Sequence, residues 1–74
     1  MIRLKVKEIA QQKGISQLRL GYMAFIDTES MRRIFRYGDS EHANLTLASL
    51  DRLAKALGVD ASELIESVPD EDDT

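Results

Sequence analysis

Arg32, Arg33 and Arg36 fall within five consecutive positions, spaced so that a helix carries all three on its polar side. A guanidinium is a rigid, permanently charged fork of N–H donors, suited to phosphate oxygens. Arg33 has the shape that also matches the paired acceptors O6 and N7 on the edge of a guanine. Glu29 lies four residues before Arg33, on the same face. Its carboxylate repels phosphate but can accept from a cytosine amine. It is equally a first-turn acid of the kind the helix dipole favours. An arginine-rich helix face is most often only solvated, so the elements that present it must decide.

Those elements lie between Ile15 and Tyr37. Apolar periodicity predicts two short helices, at about 17–24 and 28–36. Ser16 and Asp27 are suited to N-cap them. An apolar residue precedes each cap and another follows four residues after it, Ile15 with Leu20 and Ile26 with Met31, which is the pattern of a hydrophobic staple. Only Ala24 to Ile26 separate the first helix body from the second cap. So short a connection predicts a steep crossing rather than an antiparallel pair. A short arginine-rich helix held out on such a turn suits a nucleic-acid groove.

The remaining chain supplies a scaffold. Ile2, Leu4 and Val6 alternate with Arg3 and Lys5 in a strand-like period, and a helical period then runs to Lys13 before Gly14. A first helix is expected at about 4–13, its opening residues being ambiguous. Residues 38–44, GDSEHAN, read as a polar loop. Thr46 opens a helix over 47–57 that Gly58 ends. Asp60 and Glu63 resemble a capping box for a last helix at about 61–67. The expected fold is therefore all-α, with five helices. Its expected core is Val6, Ile9, Ala10, Leu20, Gly21, Ala24, Ile26, Met31, Ile34, Leu50, Leu53, Ala54, Leu57 and Leu64.

Gly14, Ile15, Ser16, Gln17, Leu20, Ile26, Ser30, Met31, Arg33 and Ile34, followed by Leu47, Leu50, Leu53, Ala54, Ala56, Leu57, Gly58 and Val59, stand in order and in register with a known pattern. On these residues the chain resembles the Cro/C1-type (XRE-like, lambda-repressor-like) helix-turn-helix family over about residues 3–66. The resemblance implies a five-helix DNA-binding domain spanning 1–67, with 28–36 as the recognition helix. It implies a sequence-specific, double-stranded DNA-binding transcriptional regulator that binds a palindromic operator as a homodimer. Thr28, Glu29 and Arg33 match the family's base-reading positions, and Gln17 matches a phosphate-contacting one. Arg32 lies within reach of base edges, and Arg36 within reach of phosphate. Three departures stand out. Gly21 replaces the usual Ala where the two helices approach. Ala10 and Phe35 occupy positions where the family often has an ion pair, so packing is expected there instead. Phe25 takes the place of a turn glycine, so either the turn differs or the ring recovers by burial the cost of a left-handed backbone.

Composition narrows the alternatives. The chain has 74 residues, no cysteine and a net charge of −3. Without cysteine there is neither a disulfide framework nor a thiolate metal site. One histidine without clustered carboxylates suggests no metal and no cofactor. No apolar run is long enough to span a membrane, and MIRLKVKEIA lacks the apolar stretch of a signal peptide, so a cytoplasmic protein is expected. No nucleophile–base pair or phosphate loop points to an enzyme. The charge is divided unevenly. Residues 1–40 hold eight Lys/Arg against four Asp/Glu, and residues 41–74 hold two against nine. Basic charge is thus gathered on the half with the helix pair, which is what phosphate contact requires. Residues 68–74, with Asp70, Glu71, Asp72 and Asp73, read as an acidic disordered tail. Leu18, Tyr22 and Phe25 are spaced i, i+4, i+7. They are expected to pack beneath the 38–44 loop. The competing reading makes them a patch for a protein partner, and the chain then becomes an interaction module, an antitoxin or adaptor, with weak DNA binding.

Overall fold

A computed structural model describes residues 1–69. In chain order the elements are β1 (Ile2–Leu4), α1 (Val6–Gln12), α2 (Gln17–Ala24), α3 (Thr28–Arg36), α4 (Ser40–Ala43), α5 (Leu47–Leu57), a 3-10 turn at Ala61–Leu64, and β2 (Ile65–Ser67). The molecule is a small, mostly helical domain closed by a two-stranded antiparallel sheet. Helices α2, α3 and α5 begin and end within a residue of the expected bounds.

One local device joins the helices. Ser16, Asp27, Asp39 and Thr46 each have extended backbone and accept, through the side chain, the N–H three residues on. Each satisfies one of the orphan donors of a helix start. Asp39 follows a helix that ends on the extended Tyr37, whereas the chain reaches Ser16, Asp27, Thr46 and also Asp60 through a residue in the left-handed region, Gly14, Phe25, Asn44 and Gly58 respectively. An apolar residue and then the cap follow each of these, in the triplets Gly-Ile-Ser, Phe-Ile-Asp, Asn-Leu-Thr and Gly-Val-Asp. The N–H groups of Ile15, Ile26 and Val59 reach back to the carbonyls of Ala10, Gly21 and Ala54 at 2.9, 2.9 and 3.0 Å. That is the longer bond of a Schellman ending. The chain therefore turns four times by the same means, and each turn packs a part-buried apolar side chain, Ile15, Ile26, Leu45 or Val59, against the core.

The core runs through Val6, Ala10, Leu20, Ala24, Met31, Ile34, Leu50, Leu53, Ala54, Leu57 and Leu64, all at 7 % exposure or less. Gly21 is buried with them, and Ile9 and Ile26 pack on the cluster part-exposed. Leu4 and Ala43 join it although neither was expected to. A Cβ on Gly21 would sit 3.0 Å from Met31 Cγ and 3.1 Å from the Ile26 carbonyl oxygen. The missing side chain is what lets α2 lie so close to the turn and to α3. Ala10 is fully buried and Phe35 is half-buried against the core, so apolar packing fills the region between α1 and α3.

Several expectations require correction. The strand-like period at the N-terminus forms β1 at Ile2–Leu4, and the first helix begins at Val6 rather than at about 4. β1 pairs with β2 in the register Ile2↔Ser67, Arg3↔Glu66 and Leu4↔Ile65. The last helix is not formed. Its capping box is present at Asp60 and Glu63, but only one 3-10 turn follows. Lys5 N–H then takes the Leu64 carbonyl at 2.8 Å, and the chain continues as β2. The fold is accordingly not all-α. The loop at 38–44 contains α4, which Asp39 caps. At the start of the expected tail the ladder extends to Val68, whose N–H donates to the Met1 carbonyl at 3.0 Å. The tail's acidic residues, 70–73, lie outside the described residues.

Phe25 meets neither condition expected of it. Its backbone is left-handed, φ 57° and ψ 45°, and its ring is 84 % exposed. The conformation costs a non-glycine residue about 1–2 kcal/mol, and ring burial offsets none of it. Phe25→Gly should therefore raise stability by about 0.5–1 kcal/mol after the entropic penalty of glycine. For a domain of this size that is a rise of roughly 2–8 °C in melting temperature. Thermal unfolding followed by circular dichroism reads it, and an unchanged or lower midpoint would show that the backbone is unstrained.

Candidate nucleic-acid interface

Helix α3 is amphipathic in a simple way. Met31 and Ile34 are buried, and Thr28, Glu29, Arg32, Arg33 and Arg36 are all in solvent. Its start is fixed by Asp27, which accepts the Ser30 N–H at 3.0 Å through Oδ2 and the Ser30 hydroxyl at 2.6 Å through Oδ1. The Ser30 hydroxyl first, and then its N–H, hold the Asp27 carboxyl below its ordinary value, with the positive charge of Arg33 adding a smaller effect. The cap is thus an anion at neutral pH, where it complements the positive end of the helix dipole.

The charged face is not uniform. Arg32 Nη1 donates to Glu29 Oε2 at 3.1 Å, so these two exposed groups largely cancel. Arg33 forms no salt bridge among the described residues, and Arg36 lies with its guanidinium carbon 5.6 Å from the centroid of the Tyr37 ring. The outward positive charge of α3 therefore belongs mainly to Arg33 and Arg36. Tyr37 in turn stacks at 5.6 Å on His42. The Nδ1 of His42 lies 2.7 Å from Asp39 Oδ2, and this contact is the main cause that holds Asp39 below its ordinary value. The C-terminal end of α3 is tied in this way to α4, through residues expected to form only a loop.

Gln17 opens α2 and is half-buried. With Thr28 it lines one groove of about 440 Å³ between the N-terminal ends of α2 and α3. The fold thus brings Gln17 and Thr28 together, while Arg32, Arg33 and Arg36 follow along α3. Leu18, Tyr22 and Phe25 do not pack beneath residues 38–44. They are 59 %, 75 % and 84 % exposed, because α4 packs instead on α3 and β1.

One positioning residue was not anticipated. Arg52 of α5 is part-buried and donates from Nε to the Ala24 carbonyl at 2.9 Å and from Nη2 to Ser49 Oγ at 3.2 Å. A cation on the last carbonyls of α2 is stabilised by charge as well as by hydrogen bonding. It fastens α5 to the end of α2, immediately before the strained turn. No signal in the sequence links positions 24 and 52. By contrast, the Asn-Leu-Thr triplet at 44–46 repeats Gly-Ile-Ser and Phe-Ile-Asp, and would have located the end of α4.

No model of a known protein family matches the chain, and no curated protein matches it in sequence.

Proposed function

We propose that this chain is a sequence-specific, double-stranded DNA-binding regulator of lambda-repressor-like type, cytoplasmic and without enzymatic activity, that binds a palindromic site as a homodimer. The observation that carries this reading is the solvent face of α3. Five polar or charged residues project from a short helix anchored on Met31 and Ile34, and the two arginines with unspent charge, Arg33 and Arg36, are three residues apart. In this reading α3 enters the major groove by its N-terminal end. Thr28, Glu29, Arg32 and Arg33 meet base edges, and Gln17 and Arg36 meet phosphates on either side. The 3-10 turn and β2 stand where the family resemblance implies a fifth helix.

Selection of bound duplexes from a random pool tests the reading. The expected product is an inverted repeat with half-sites about 34 Å apart, centre to centre, bound with strong salt dependence. A pool that returns no enriched sequence counts against a regulator, and a footprint covering one half-site at saturating protein counts against a symmetric dimer. The exposure of Leu18, Tyr22 and Phe25 supports a second reading, a protein-interaction module with only weak, sequence-blind DNA affinity.

A further inference from the structure

The groove between α2 and α3 is an apolar slot beside an apolar ridge. Gly21, Ile26 and Met31 line it, and Leu18 and Tyr22 form its wall on the α2 side. Asp27 is the one charged residue of the lining, and no cation faces the slot. A phosphate or an acidic peptide is therefore disfavoured inside it, and a neutral apolar occupant is favoured. The same chain displays such an occupant next to the slot, in the rings of Tyr22 and Phe25 at 75 % and 84 % exposure. A knob and a hole side by side on one face are what an isologous, two-fold pair requires.

We propose that this face is a self-docking surface, on which a second copy of the chain inserts Tyr22 and Phe25 into the slot and receives the same rings in return. The area suits that occupant and sets its strength. Leu18, Tyr22 and Phe25 together expose roughly 400 Å². Two copies then bury about 800 Å² in all, below the size of a standard specific interface and in the range of weak, reversible pairs. The pairing has a consequence that rests on the DNA-binding reading. Gln17 and Thr28 line the same slot, so a copy docked there covers them. Self-docking and duplex binding exclude one another, and this pair is not the one that spaces two α3 helices on an operator.

Sedimentation equilibrium of the full chain without DNA is the first test. The expected result is reversible dimerisation in the micromolar-to-millimolar range, with Phe25→Gly and Tyr22→Gln each raising the dissociation constant about tenfold or more. Phe25→Gly relieves the left-handed backbone, so failure to fold does not account for lost association. A wild-type chain that stays monomeric at about 1 mM, or a dimer that both substitutions leave intact, overturns the proposal. The second test adds the selected duplex to the self-associated chain. Release of the pair as DNA binds supports mutual exclusion, and a DNA complex that retains it overturns that part. If no duplex binds at all, the regulator reading fails while the sedimentation result still decides the self-docking surface.

Discussion

Arg33→Ala is expected to weaken binding to the preferred duplex by about 1–3 kcal/mol, up to a hundredfold or more, and to relax the preference at one base pair, as loss of a bidentate contact to guanine does. The position is chosen by charge bookkeeping on α3. Arg32 is held by Glu29 at 3.1 Å, whereas Arg33 is four residues beyond Glu29 on the exposed face and enters no salt bridge among the described residues. Arg36, one turn further on beside Tyr37, should behave differently. Arg36→Ala should weaken every sequence alike and lower the salt slope by about one phosphate. Glu29→Gln should alter which base is preferred, because an amide both donates and accepts, and it also frees Arg32. Binding isotherms across single-base variants and salt concentrations separate these signatures. If Arg33→Ala and Arg36→Ala weaken all duplexes equally, α3 is only a basic surface, and the interaction-module reading moves ahead.

Leu53→Ala should cost about 2–5 kcal/mol, the range for truncating a buried leucine. Leu53 is fully buried in the middle of α5, the helix that contacts α1, α2 and the 3-10 turn. A domain of this size has roughly 4–11 kcal/mol of stability in total, so this one side chain carries a large share of it. Leu47→Ala is the internal control. It is the same substitution on the same helix at a residue 84 % exposed, and its effect should lie within about 0.5 kcal/mol. Urea titrations of the two variants give the comparison. Similar midpoints would mean that α5 is not the centre of the core.

The local features of this protein were legible in its residues. Ser16, Asp27 and Thr46 cap helices because their side chains reach an N–H three residues away, and the Ile15–Leu20 and Ile26–Met31 spacings follow from one helical turn. The bounds of α2, α3 and α5, and the exposed face of α3 with Thr28, Glu29, Arg32, Arg33 and Arg36, are set by interactions of that range. The misread segments are those whose partners are distant in sequence. Residues 65–67 have a capping box ahead of them. They form β2 because the backbone of residues 1–5 lies alongside and supplies ladder hydrogen bonds, which a few further residues of isolated helix could not match. Residues 40–43 form α4 because Asp39 caps them and Ala43 finds room in the core. Arg52 meets Ala24 across 28 residues, a contact that exists only once α5 lies against α2. Phe25 shows the division within a single residue. Its place after a helix and before Ile-Asp determines the left-handed backbone through local hydrogen bonds. Whether its ring is covered depends on where α4 packs, and it packs on α3 and β1, leaving the ring in water.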